Sequence, residues 1–284
     1  MPELPEVQTV ANHIKPFVIG KYVLSIDPIW GKVLDNFHQG DIKGRNKILD
    51  VTRRAKFIVI NFENFLIAVH LRMTGKLYVL EGNDIPKHTS AIMEFESGEK
   101  LIFEDTRKFG RIYKYDDLKL INEKHGPEPL EDDFTGDWLL TNLKSKKRNI
   151  KALLLDQSFL SGLGNIYVDE SLWASNIHPN SISCYIPKKK IILLHKNIRE
   201  ILRESIKQLG TTFISFTFLN GQSGNYSNEL KIFGKQGEYC MKCSNTIEKI
   251  ILELEKSILS ERGNRSDDKF SETAMEDRKK EGYF

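Results

Sequence analysis

Disulfide chemistry has little to work with in this chain: 284 residues carry three cysteines, Cys184, Cys240 and Cys243. That is too few for a disulfide framework, so a reducing cytoplasm is the expected compartment, nucleoid-associated if the source is bacterial. Long apolar runs are missing as well. No stretch approaches the ~18 residues needed to cross a bilayer, and no membrane partner is expected. An excess of one charge is also lacking, with 42 Lys+Arg against 39 Asp+Glu and a formal net charge of +3. The total therefore says little about nucleic acid. Its distribution says more, because basic residues gather in "VTRRAK", "DTRKFGR", "LKSKKRNIK" and "IPKKK", each of which alone would pass as a solvated face. What the chain does have is 40% hydrophobic residues, enough for one large domain or two with separate cores.

The chain opens "MPELPEVQT", which has neither the basic flank nor the apolar run of an export signal. Val7, Val10, Ala11 and Ile14 fall at helical spacing, Pro5 suits a first turn, and Pro16 is expected to close the helix. From there to about residue 115, short segments such as "KFIVINFE", "FLIAVHLRM", "SAIMEFESG" and "KLIFEDT" alternate with Gly, Asn, Asp and Ser. They read as strands of a β-sandwich or barrel. The pattern lapses around "NEKHGPEPLEDDF" and turns helical from about 136 to 210. An α+β multidomain chain follows: an N-terminal β-sandwich with a leading helix over 1–125, a linker at 126–135 and a helical domain over 136–225. A polar, charged stretch over 257–284 is expected to be disordered.

The opening residues also carry chemistry. If Met1 is removed, Pro2 presents a secondary amine whose pKa lies near 8, well below that of lysine at about 10.4. Condensed with an aldehyde, it gives an iminium that serves as an electron sink. Glu3 stands beside it as general acid/base, and Pro5 biases Leu4 to an extended conformation. Read alone, the same residues make an ordinary helix start, with acids favoured by the dipole.

Several blocks in one order tip that balance. "MPELPEVQT", "RRAKF", "HLRMTG", "DTRKFGR", "LLLDQSFLSGLGNIYVDESLW", "IHP", "GTT" and "NELKIFGKQGEYCMKC" resemble the formamidopyrimidine-DNA glycosylase / endonuclease VIII family of base-excision repair enzymes. The resemblance spans about residues 1–252. Leu4 stands where endonuclease VIII proper usually has glycine, so the chain is closer to the formamidopyrimidine branch. It implies a bifunctional DNA glycosylase/AP lyase for 8-oxoguanine and formamidopyrimidines, acting on double-stranded DNA as a monomer. The rival expectations are an endonuclease VIII-like enzyme for oxidised pyrimidines and a binder of lesions or AP sites with impaired catalysis.

By that resemblance Pro2 attacks the sugar C1′, Glu3 protonates the opened sugar, Glu6 supports them, and Lys56 contacts phosphate and assists β-elimination. Met73, Arg107 and Phe109 fill the gap left by the flipped base. His88, Lys146, Lys151 and Asn165 contact DNA, the last as N-cap of the second helix of a helix–two-turn–helix motif. Thr106 replaces the family's usual proline. No cofactor is needed for the chemistry, but the family holds a structural zinc through four cysteines. Here only Cys240 and Cys243 stand at half-site spacing, in a remnant finger region over 226–256, and no further cysteine or histidine follows. Two thiolates cannot close a tetrahedral site, so normal zinc binding is not expected. The hairpin arginine used for δ-elimination has only Arg262 and Arg265 as nearby candidates. The abrupt loss of family-like text after "TIEKIIL" is expected to reflect a frameshift.

Overall fold

The structure, a computed structural model, describes residues 1–42, 44–211, 224–253 and 279–283. Two units interleave along the chain. One comprises 1–134, 156–164 and 199–230, and the other 135–155, 165–198 and 231–284. The division is thus not the linear one expected at 126–135.

The first unit begins with helix α1 (Leu4–Val18). Leu4, Val7, Val10, Ala11, Ile14 and Val18 form its buried stripe, at the spacing of one helical face. Contrary to expectation, Pro16 does not end it. A proline disturbs only its own missing N–H and the carbonyl four residues back. The chain keeps helical form for two more residues, with Ile19 N–H bonded to Lys15 O at 3.1 Å and Val18 buried as an anchor.

Nine strands follow, in chain order β1 (Tyr22–Pro28), β2 (Asn46–Lys47), β3 (Asp50–Arg54), β4 (Phe57–Asn61), β5 (Leu66–His70), β6 (Gly75–Leu80), β7 (Thr89–Phe95), β8 (Lys100–Asp105) and β9 (Arg111–Tyr115). They form two antiparallel sheets, β2-β1-β7-β8-β6 and β3-β4-β5-β9. Alternation along β5 explains the layering: Ile67 and Val69 join the core shared with α1 and the other sheet, including Ile26, Met93 and Phe103. Leu66 and Ala68 point the other way, onto Ile121 of α2 (Lys119–Lys124). Segment 129–134, expected as a loose linker, is held by Arg199, whose guanidinium donates to the carbonyls of Pro129, Leu130 and Glu131 at 3.1, 3.2 and 2.7 Å.

The second unit contains α3 (Gly136–Lys144), α4 (Ile150–Leu155), α5 (Asn165–Ala174) and the first part of α6 (Lys188–Lys207), which continues into the first unit from Arg199. Leu139, Leu143, Leu153, Leu154, Val168, Leu172, Ile191 and Leu194 are buried in it. Strand β10 (Lys249–Glu253) pairs antiparallel with β11 (Lys279–Tyr283). Part of the tail expected to be disordered is therefore a strand. Arg262 and Arg265 lie outside the described residues.

Candidate active site and DNA-contact residues

In the first unit, α1 delivers Pro2 and Glu3 from its N-terminus. Pro2 is buried beneath a half-exposed Met1. Glu3, 3% exposed, is the N-cap residue. Its Oε2 accepts the Gly164 N–H at 2.8 Å, and Leu4 N–H bonds Gly162 O at 2.9 Å. A side chain at residue 164 would collide, because a Cβ there would lie 2.4 Å from the Glu3 carboxyl carbon. Glu6 completes the local frame. Its Oε2 accepts the Glu3 N–H at 3.0 Å, and its Oε1 accepts the Thr211 N–H at 2.8 Å and hydroxyl at 3.0 Å. Glu6 is thus a buried bracket that ties Glu3 to Thr211.

Lys56 is 5% exposed and sits in the two-residue turn between β3 and β4, where Arg54 pairs with Phe57. Ala55 before it is left-handed, φ 52°, a conformation that costs a non-glycine residue roughly 1 kcal/mol or more. Glu128 holds it there. One carboxylate oxygen accepts the Ala55 N–H at 2.6 Å and pairs with Arg54 at 2.8 Å, while the other meets Arg53 at 2.6 Å. Arg53 also reaches Gln8 of α1 at 2.9 Å. This clamp was not read from the sequence. "PEP" in "GPEPLEDDF" looked like linker punctuation, and only long-range pairing shows otherwise.

Met73 and Phe109 are 40% and 48% exposed. Both turns point these side chains outward. The Arg107 guanidinium lies 4.9 Å over the Phe109 ring. Each apolar tip follows a left-handed non-glycine residue, Arg72 (φ 54°) before Met73 and Lys108 (φ 57°) before Phe109. Arg72 is supported by its N–H bond to His70 Nδ1 at 3.0 Å. Burial, reinforced by the nearby Arg72 and Lys56 charges, pulls His70 down to about 3, so it is neutral at physiological pH. His88 is exposed just before β7.

In the second unit, Lys146 is half-buried and Asn165 is the first residue of α5 rather than its N-cap. The helix starts one residue earlier than the turn glycines suggested. The Asn165 Oδ1 has no hydrogen-bond partner among the described residues. Lys151, expected to meet DNA, does not reach the surface. It is 0% exposed, and its ammonium lies 2.7 and 2.8 Å from the two carboxylate oxygens of Asp169. In sequence it is one more basic residue at the edge of a motif, but on α4 it faces the core.

The finger remnant does not suit zinc. Cys240 is buried and takes the Trp173 Nε1–H at 3.4 Å, while Cys243 is exposed. That bond, with backbone donors from Lys242 and Cys243, draws the Cys240 thiol down to about 7. No third His, Cys, Asp or Glu joins the pair among the described residues, and two donors leave a tetrahedral ion half-coordinated. The region is fixed by other means. Glu170 accepts the N–H groups of Lys231, Ile232 and Phe233 at 2.9 to 3.0 Å, and Lys242 donates to Trp173 O and Ala174 O at 2.6 and 3.1 Å.

The formamidopyrimidine-DNA glycosylase N-terminal domain family matches residues 1–112, and its H2TH domain family matches 125–217. A formamidopyrimidine-DNA glycosylase of Pelotomaculum thermopropionicum is 40% identical over 259 residues, 88% of this chain and 94% of the relative. A crystal structure of a Lactococcus lactis FPG mutant with Fapy-dG containing DNA has a TM-score of 0.81 at 34% identity, covering 88% of this chain and 94% of that one. A Lactococcus lactis Fpg complex with abasic-site DNA has a TM-score of 0.80 at 34% identity, covering 87% and 94%. Fold and relatives together define a base-excision DNA glycosylase. The chain belongs to the formamidopyrimidine-DNA glycosylase family.

Proposed function

We propose that this enzyme excises oxidised purines, 8-oxoguanine and formamidopyrimidines, from duplex DNA and then cuts the strand at the resulting AP site. The observation that carries this reading is the Glu3 carboxyl, buried beside Pro2 and held by the Gly164 N–H. Once Met1 is removed, the Pro2 nitrogen bonds to C1′ and sheds its proton, while the base departs with the electrons of the glycosidic bond and takes up a proton. Glu3 delivers a proton to the ring oxygen as the sugar opens to the iminium. Loss of a C2′ proton then expels the 3′ phosphate, and water releases the enzyme. Lys56 steadies a phosphate near the lesion, and Met73, Arg107 and Phe109 occupy the vacated stack. His88, Lys146 and Asn165 bind backbone. Lys151 takes no part in contact. The enzyme is a cytoplasmic monomer that cleaves by β-elimination; Arg262 and Arg265, the nearby candidates for a δ-elimination arginine, lie outside the described residues.

Borohydride trapping on an 8-oxoguanine duplex tests the reading. The wild type forms a covalent adduct, Pro2→Gly forms none, and Glu3→Gln traps far less. An adduct mapped to an internal lysine, or stronger trapping on thymine glycol than on 8-oxoguanine, overturns it.

A further inference from the structure

We propose that Asp105 is the positioning residue that sets the base-displacing wedge, holding the Met73 turn and the Arg107–Phe109 turn in one fixed register. This rests on the glycosylase reading above and adds a residue to it. Asp105 ends β8 and is 1% exposed. Its Oδ1 accepts the Thr74 hydroxyl at 2.5 Å and the Arg107 N–H at 3.1 Å, and its Oδ2 accepts the Gly110 N–H at 2.7 Å. The Arg107 N–H also lies 3.2 Å from the Thr74 hydroxyl. One carboxylate therefore joins the residue after Met73 to both ends of the Arg107–Phe109 turn. The backbone N–H of Asp105 binds His88 O at 3.0 Å, so the loop bearing His88 is fastened to the same point.

A buried carboxylate is costly unless donors surround it, and the donors here come from two separate turns. Those turns cannot drift independently without stripping it. The packing allows little slack on the far side either, since a Cβ at Gly110 would meet the Phe103 ring at 2.3 Å. The exposed tips of Met73 and Phe109, each following a left-handed residue, thus stand on turns that share this one anchor. Asparagine cannot substitute, because its amide presents –NH₂ to one of the two sets of donors.

Base extrusion requires the wedge to fill the stack as the lesion leaves, whereas an AP site has no base to extrude. Loosening the anchor must then hurt lesion excision more than AP-site processing. The test compares Asp105→Asn and Thr74→Val with wild type in the full chain, on an 8-oxoguanine duplex and on its AP-site counterpart. Borohydride trapping rates are measured on both, and 2-aminopurine placed beside the lesion reports unstacking. For Asp105→Asn, trapping on 8-oxoguanine falls about tenfold further than on the AP site, and the 2-aminopurine rise slows in parallel. Thr74→Val, which loses one hydroxyl donor, shifts both readouts the same way by less, and carries the test if Asp105→Asn does not fold. Equal losses on the two substrates, or no loss in either variant, overturn the anchor. A wild type that traps on neither substrate instead brings down the glycosylase reading and the anchor with it.

Discussion

Glu3 and Gly164, 161 residues apart in sequence, are joined by a 2.8 Å hydrogen bond from the glycine N–H to the Glu3 carboxylate. Gly164 precedes α5 and has no room for a side chain. Gly164→Ala therefore pushes the carboxyl away from Pro2. A displacement of about 1 Å at a reacting group costs on the order of 10²-fold in rate. Single-turnover trapping should fall by about that factor, and the overpacked site should also lower stability by about 1–3 kcal/mol.

Glu128 acts on Lys56 at one remove. Glu128→Ala leaves Arg53 and Arg54 facing each other without their shared carboxylate and frees the left-handed Ala55. Breaking a buried pair of this kind costs about 3–5 kcal/mol, readable as a lower urea midpoint. Glu128→Gln combined with Ala55→Gly, which removes the left-handed penalty, should recover trapping activity relative to Glu128→Gln alone.

Lys151 offers the opposite case. Lys151→Ala leaves Asp169, itself fully buried, without its cation, and should destabilise by about 3–5 kcal/mol. The salt dependence of DNA binding should keep its slope in the folded protein, whereas removing a phosphate-contacting lysine lowers that slope by about 1.

His70 makes stability depend on pH. Unfolded, the imidazole takes a proton near 6.5; folded, it refuses one until about 3. Protonation therefore favours unfolding. The contribution is whole above pH 6.5 and is lost progressively as pH falls towards 3, by up to about 1.4 kcal/mol per pH unit. His125, also lowered by burial, acts with the same sign. Urea midpoints at pH 7 and 5 should diverge more for wild type than for His70→Gln.

Metal removal should be silent. Prolonged EDTA treatment is expected to leave the thermal midpoint and lesion binding unchanged, and elemental analysis should find well under one zinc per chain. A zinc content near one, lost together with stability on chelation, would count against this.

The helix and strands that carry the proposed site could be read along the chain, because they are written locally. The helix that positions Pro2 and Glu3 follows from apolar spacing and a proline in the first turn, and the strands follow from alternation in segments such as "KFIVINFE". Local text also carries the incomplete set of cysteines, since only Cys240 and Cys243 stand at half-site spacing. Tertiary structure alone decided which charged residues are spent inside. Lys151 and Lys56 look alike as letters, yet one closes on Asp169 and the other caps a turn clamped by Glu128. Glu128 gave no signal because its donors lie on a distant strand and turn, up to 75 residues away in the case of Arg53, and Asp105 because its Thr74 donor comes from another turn, although Arg107 and Gly110 follow it closely. A buried carboxylate is defined by the N–H groups that converge on it, and only the folded chain brings those together.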